Sequence, residues 1–340
     1  MDWKEYANNY IKIAKLQGKD NEYCIHQLEY AHELFIHDLP VIYSPEHFCL
    51  LVGYKKEYVL AAANGSEYFY RTFFIDKKNG TKRQIDEPLP SLKEIQHWIL
   101  HEILESVPVS PYAKAFVKGR SVRDNARFHR RQNKVLTMDI EDFFPSIDIG
   151  RVLHLFLGLG YRENVAVLMS NLCCYKNHLP QGAPTSPALA NLIAGTLDYK
   201  IVDYIKKQKI RYTRYADDMT FSGDFHEGDL IKNVQRIAKR QGFRIKEEKT
   251  RVRKKHQRQE VTGIVVNEKM QVSREIRRQI RSDMYYIQKY GLDSHLEYRG
   301  VEKEKYIQHM RGLISYCIFV NPRDEKMREY KKIISDINCQ

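Results

Sequence analysis

Ile210-Arg211-Tyr212-Thr213-Arg214-Tyr215-Ala216-Asp217-Asp218-Met219-Thr220-Phe221-Ser222 is the stretch that decides how this chain is read. Two β-like runs, Ile210–Thr213 and Met219–Ser222, flank Tyr215-Ala216-Asp217-Asp218, which reads as a tight turn between them. Adjacent carboxylates at such a turn repel, and one tends to hold its proton. A bound divalent cation reverses that sign and makes the cluster attractive. Far upstream, Asp139 closes another buried-strand run, Val135-Leu136-Thr137-Met138, which sets its carboxylate at a sheet rim rather than in a core. Each acid alone has a plainer reading, as a polar turn or a surface strand end. Together, one distant and two adjacent, they match what two-metal phosphoryl transfer requires.

Bulk properties agree with a nucleic-acid enzyme. The 340 residues carry 56 Lys+Arg against 43 Asp+Glu, a formal charge of +13 that calls for a polyanionic partner. Apolar residues make up 43% and aromatics 11%, enough for packed cores, and the length calls for two or three subdomains. No run approaches the ~18 apolar residues of a membrane span, and Met1-Asp2-Trp3-Lys4-Glu5 does not open a signal peptide. The six cysteines have no zinc-ligand spacing, so they read as reduced packing thiols of an intracellular protein.

Local signals sketch the elements. Residues 1–66 read as a helical N-terminal extension, with Ser44-Pro45-Glu46 as a helix start and Gly53 and Asn64-Gly65 as stops. A hairpin follows, Tyr70–Ile75 against Thr81–Ile85, with Asn79-Gly80 as its turn signal. Ser91-Leu92-Lys93-Glu94 reads as a capping box opening an amphipathic helix. Further helices are expected from Pro187 and over about Asp229–Arg240, then a strand pair, Val261–Val266 with Met270–Val272, and helices to the end. Strands and helices thus alternate as in an α+β layer arrangement.

Between the acidic segments lies Leu179-Pro180-Gln181-Gly182-Ala183-Pro184-Thr185-Ser186-Pro187, where Pro and Gly fix a kinked loop whose N–H groups can face an anion before a helix. Tyr-Ala-Asp-Asp, the upstream Asp139 and this loop together resemble the palm of a reverse transcriptase. Asn125-Ala126-Arg127-Phe128-His129, Val261-Thr262-Gly263 and Cys173-Cys174-Tyr175-Lys176-Asn177 narrow the resemblance to bacterial retron-type reverse transcriptases, over about residues 67–320. The resemblance implies a right-hand polymerase: fingers and an antiparallel palm over residues 67–257 and a thumb over 258–340.

It also implies roles. Asp139, Asp217 and Asp218, with the Ile140 carbonyl, would hold two Mg²⁺. Phe144 would pack under the deoxyribose and exclude a 2′-hydroxyl, with Phe143 in the core instead; a core position is the alternative for Phe144. Gln181 would touch the incoming nucleotide or the template-side minor groove. In the fingertip hairpin, the planar fork of Arg83 suits triphosphate oxygens, with Lys77 near enough to help. Lys249 stands where a lysine could protonate pyrophosphate. Asn125 and His129 share a helical face and either orient the palm or touch RNA. Thr262 and Gly263 would grip the primer or a structured RNA. Arg274, Arg277, Arg278 and Arg281, with Tyr285 and Tyr286 beyond, suit a backbone-tracking RNA surface on the thumb.

Such an enzyme of the bacterial cytoplasm would copy a dedicated structured RNA from a 2′-hydroxyl, giving branched RNA-linked DNA in a phage-defence setting with an effector protein. The span left after the thumb has no room for an RNase H domain, so a host RNase H would remove the template. The rival readings are a defence-associated reverse transcriptase making unbranched DNA, and an RNA-binding scaffold that kept the fold without the chemistry. Intact Asp139, Asp217 and Asp218 weigh against the scaffold, because carboxylate clusters are costly without their metal.

Overall fold

The computed structural model describes residues 2–76 and 80–337. In chain order the elements are α1 (Trp3–Leu16), α2 (Asn21–Ile36), α3 (Pro45–Val52), α4 (Lys56–Asn64), β1 (Tyr70–Asp76), β2 (Lys82–Pro88), α5 (Pro90–Ile99), α6 (Val122–Phe128) and β3 (Lys134–Ile140). Then come α7 (Ile149–Gly158), α8 (Glu163–Cys173), α9 (Ser186–Ile205), β4 (Arg211–Tyr215), β5 (Asp218–Gly223), α10 (Glu227–Arg240) and β6 (Ile245–Lys254). The C-terminal part holds β7 (Glu260–Val261), β8 (Ile264–Val265), β9 (Gln271–Val272), α11 (Arg274–Tyr290), α12 (Leu292–Arg299), α13 (Lys303–Val320) and α14 (Glu325–Ile337). The chain forms two compact units that interleave along the sequence, one of residues 1–111, 141–199 and 239–243, the other of 112–140, 200–238 and 244–340.

The first unit is mainly helical. Ser44 caps α3, its Oγ accepting from His47 N at 3.2 Å, with Pro45 at the first helical position and Gly53 (φ 75) ending the helix in the left-handed region. The N-terminal helices are fastened through Arg162, which donates to Gln27 Oε1 at 2.9 Å and lies 4.1 Å from the Tyr30 ring centroid. The first element of the hairpin pairs antiparallel with the second, from Tyr70 opposite Pro88 to Asp76 opposite Lys82. Its connection is therefore 77–81, longer than a two-residue turn, and Asn79 of the expected turn lies outside the described residues. The capping box expected at Ser91 and Glu94 is not formed: α5 starts two residues earlier, with Leu89 at the N-cap, because Pro90 has φ preset for the first helical position and leaves Ser91 inside the turn. Glu94 instead accepts from the Tyr54 hydroxyl. A Ser121–Asp124 box, in the other unit, caps α6.

The second unit is built on a four-stranded sheet in the order β4-β5-β3-β6, antiparallel throughout. In β3, Val135, Leu136, Met138, Asp139 and Ile140 are all buried, as befits a strand inside the sheet. The segment Val261–Val266 is not the single strand expected of it. Val261 pairs with Ile264 across a two-residue turn, Thr262 (φ 47) and Gly263 (φ 79), and β9 adds a third strand. Two successive positive φ values match the twist of a hairpin, and glycine accepts such a φ without penalty. This small sheet shares one apolar core with α11, α13 and α14, including Val261, Ile264, Met284, Met310, Ile314 and Met327.

Candidate active site

Strand register brings the acids together. Asp139 and Asp218 are directly opposed on β3 and β5, which places their Cα atoms ~5 Å apart. Ile140 N donates to Asp217 O at 2.9 Å, tying the turn to the end of β3. Tyr215 faces Asp218, so the turn is Ala216-Asp217, with Ala216 at φ 57. An alanine there is strained by ~1–2 kcal/mol, so the surroundings must hold it. Arg214 helps, its Nη1 donating to Ala216 O at 3.2 Å although the residue is wholly buried. No sequence signal singled out Arg214, since an arginine on a short strand ordinarily faces water.

The edge strand β6 adds a cation. Between Thr137↔Arg251 and Asp139↔Lys246 the register slips, leaving Glu247–Thr250 bulged out of the ladder. The bulge carries Lys249, whose Nζ reaches Asp139 Oδ2 at 2.8 Å, while Lys246 Nζ stands 3.8 Å from Oδ1. The hydrogen bond to Asp139 holds the Lys249 ammonium charged beyond its usual range. Crowding that strips water, then the Asp139 charge, pushes Asp217 above the usual carboxylate range. The same loss of water, then the charges of Asp217 and Asp139, pushes Asp218 up to about 6.

These features fit a divalent cation. Asp139 Oδ1 is buried and has no hydrogen-bond partner, a position that ordinarily costs ~1–3 kcal/mol. Among the described residues no three acidic, histidine or cysteine side chains already converge as a metal cage.

Asn125 and His129 pack against the strands of the β4–β5 hairpin, both fully shut off from solvent. Thr213 Oγ1 donates to Asn125 Oδ1 at 2.5 Å, and His129 contacts Thr213 Oγ1 through Nε2 and Ser222 Oγ through Nδ1, each at 2.7 Å. A hydroxyl has one proton, and Thr213 has given its own to an acceptor. Nε2 must therefore donate to Thr213, and Nδ1 must accept from Ser222. Burial, then the charges of Arg211 and Lys114, pushes His129 down to about 3, which agrees with this neutral ring. The expectation that these two residues touch RNA is corrected: they bolt α6 to the β4–β5 hairpin. Asn125 Nδ2 also donates to Thr262 Oγ1 at 3.5 Å, so the two short motifs meet.

A cleft of about 550 Å³ runs from Asp218 to Thr262 and Gly263, floored by Thr137 and Thr220 and edged by Arg251, Arg253 and Arg258. On α11, Arg274, Arg278 and Arg281 are exposed and meet no carboxylate among the described residues. Arg277 does not belong with them: it is half-buried and paired to the buried Asp324, so its charge is taken up within the fold.

In the other unit, Phe143 is buried against Phe243 and Phe144 is half-exposed. The turn that separates them is tight, with Asp142 at φ 43 and Ser146 N donating to Asp142 O at 2.7 Å. The Leu179–Pro187 loop is docked on β2 by Asp86 N donating to Gln181 O at 2.8 Å. A Cβ on Gly182 would stand 2.6 Å from the Asp86 carbonyl oxygen, which is why only glycine fits. Gln181 is half-buried and Arg83 exposed; Lys77 lies outside the described residues.

Residues 75–266 match the family described as reverse transcriptase (RNA-dependent DNA polymerase). The retron Ec86 reverse transcriptase of Escherichia coli is 35% identical over 271 residues, 77% of this chain and 79% of its own length. The retron Mx65 reverse transcriptase of Myxococcus xanthus is 34% identical over 304 residues, 83% of this chain and 68% of its own. Among solved structures, a Candida albicans telomerase aligns over 79% of this chain and 63% of its own, at 11% identity and a TM-score of 0.46. The matched sequence holds the acidic turn, Asp139 and the Leu-Pro-Gln-Gly loop, and the chain belongs to the bacterial retron-type reverse transcriptases, RNA-directed DNA polymerases of right-hand fold.

Proposed function

We propose that this polymerase copies a dedicated structured non-coding RNA, starting from a 2′-hydroxyl of that RNA, into single-stranded DNA that stays branched to it. The observation that carries the reading is the cleft from Asp218 to Thr262-Gly263, because it joins the acidic turn to a retron-like motif that Asn125 of a second such motif touches. Its hydroxyl floor and arginine edge suit a ribose-phosphate strand.

Asp139, Asp217 and Asp218, with the Ile140 carbonyl, would hold two Mg²⁺. When bound, these ions supply activation of the attacking hydroxyl and neutralisation of the triphosphate and departing pyrophosphate. Lys249 shares Asp139 Oδ2 and has a proton to offer the pyrophosphate. Arg83, with Lys77, would hold the triphosphate. Gln181, fixed through its carbonyl, would position the nucleotide, and Phe144 would sit under the sugar and exclude a 2′-hydroxyl. His129 and Asn125 position the hairpin that carries the acids. We place the protein in the bacterial cytoplasm, in a phage-defence system with an effector protein, and with a host RNase H to remove the template.

The test sequences the nucleic acid made by the purified protein on its copurifying RNA, with and without enzymatic cleavage of 2′,5′ bonds. A branched RNA–DNA product is expected, and an unbranched one sinks the priming reading. Asp217→Asn with Asp218→Asn should lower dNTP incorporation by more than ~100-fold, beyond what positioning changes alone produce, while RNA binding persists. In the same assay Phe144→Ala should raise rNTP use; unchanged discrimination would remove the gate.

A further inference from the structure

The thumb carries a second constellation, separate from the acids. α11 and α12 meet at Gly291, and a cleft of about 390 Å³ opens between them, lined by Tyr286, Tyr290, Ser294, His295 and Tyr298. Its volume lies within the ~300–1,000 Å³ range of small-ligand clefts. The tyrosines are unusually open: Tyr286 is 46% exposed, Tyr290 56% and Tyr298 88%. Their rings are nevertheless ordered face to face. Tyr286 and Tyr290 have centroids 6.1 Å apart at 19°, and Tyr286 and His295 6.2 Å apart at 11°.

The floor of this cleft is held from behind. His295 is 5% exposed, and its Nε2 meets the Tyr306 hydroxyl at 2.9 Å and lies 3.8 Å from Asp283 Oδ1. Asp283 is itself buried and accepts from Arg299. A buried acid, imidazole and phenol thus fix the ring plane that the exposed tyrosines extend. Such rigidity exceeds what an ordinary solvated helix face needs.

Charge decides the occupant. Parallel tyrosines form cages for cations elsewhere, but here Lys289 Nζ already lies 5.0 Å from the Tyr290 centroid and 5.6 Å from that of Tyr285. A second cation would be repelled. Along the same helix Arg274, Arg278, Arg281, Tyr285 and Lys289 recur at three- and four-residue steps and form one stripe about 22 Å long. Of the acids nearby, Glu275 pairs with Arg258, Asp283 with Arg299 and Asp293 with Lys303, and Glu297 stays exposed on α12. The stripe offers positive charge to a phosphate backbone, and the cleft at its end offers π-faces.

We propose that this cleft captures an unpaired base of a structured RNA whose phosphates follow the α11 stripe. The base stacks on Tyr286 and Tyr290, and the Ser294 hydroxyl stands beside its edge. Paired RNA keeps its bases stacked on one another, so a loop or bulge is selected over a plain stem. This rests on the polymerase reading only for the RNA being the enzyme's own template.

The test uses the full-length protein and a stem-loop RNA with 2-aminopurine in its loop, beside the fully paired duplex of the same stem. Binding should quench the loop fluorophore, and the stem-loop should bind more tightly than the duplex. Tyr286→Leu with Tyr290→Leu should abolish the quench and weaken stem-loop binding by about tenfold or more. Tyr286→Phe should keep both, since the π-face remains. Tyr298 is so exposed that Tyr298→Ala leaves the fold intact, and it should weaken stem-loop binding more than duplex binding. Extension of oligo(dT) on poly(rA) should be unchanged in Tyr298→Ala. Equal affinity for duplex and stem-loop, an absent quench in the wild type, or full binding by the double leucine variant would each overturn the proposal. If the wild type fails to extend oligo(dT), the polymerase reading falls instead, and the fluorescence arm still decides the cleft.

Discussion

His129 carries one ring proton between two hydroxyls, and the direction of that proton has a thermodynamic consequence. Its folded pKa of about 3 lies below the ordinary 6.5, so the neutral ring contributes stability that is fully present above pH 6.5. As pH falls below that value the unfolded chain takes up a proton that the folded chain refuses, and stability drops by up to ~1.4 kcal/mol per unit. Asp218 works in the opposite sense. Its folded pKa of about 6 exceeds the ordinary 3.8, so its charged form is penalised above pH 6 and the penalty is relieved as pH falls through that window. Urea unfolding of the metal-free protein at several pH values, for wild type and His129→Asn, separates them. The difference between the two should shrink by roughly 2 kcal/mol between pH 6.5 and 5; a difference independent of pH would contradict the buried neutral ring. The identity of His129 as a motif residue was legible in the sequence. Its role was not, because burial and hydroxyl partners come from β4 and β5.

At the level of elements, two glycines separate space from strain. Gly182 has φ 139 and would drive a Cβ into the Asp86 backbone, whereas Gly263 has φ 79 with no atom within 4 Å of a Cβ. Gly263→Ala should therefore cost only the ~1–2 kcal/mol of a left-handed alanine. Gly182→Ala should cost more than that, because backbone on both sides must move, and it should raise the KM for dNTPs by displacing Gln181. Thermal melts and dNTP titrations check both, and an unchanged KM in Gly182→Ala would remove the loop from nucleotide positioning. Strands β3, β4 and β5, the first hairpin and some helix ends were readable from alternation, caps and glycines, whereas β6 read only as a basic stretch. The box at Ser91 misled because Pro90 moved the helix start, and the Thr262-Gly263 turn was hidden in a run of strand-forming residues. The bulge over Glu247–Thr250 left no mark in composition, since its register is set by β3.

Taken as a whole, the molecule distributes its +13 charge unevenly in function. Arg277 is consumed by Asp324, and Lys249 by Asp139, while Arg274, Arg278 and Arg281 stay open to solvent. RNA affinity should consequently fall steeply with salt. Replacing Arg274, Arg278 and Arg281 together by Ala should reduce the log–log salt slope by about 2, at ~0.7 per single-strand phosphate contact. Arg277→Ala should leave that slope alone and instead lower stability, because it strands a buried carboxylate. Binding isotherms across a salt series read both, and an equal slope change for Arg277→Ala would reverse the assignment.

The order and chemistry of the motifs, local along the chain, determined the polymerase class and singled out three aspartates and a run of arginines towards the C-terminal end. Local signals such as a turn, a cap or a charge pattern need only neighbouring residues to be expressed. Tertiary structure alone decided that Asp139 faces Asp218, that Lys249 is swung onto it by a bulge, that Arg214 is buried beneath the turn, and which arginine of α11 is already paired. Those outcomes depend on register and on partners distant in sequence, and neither is encoded in any single segment.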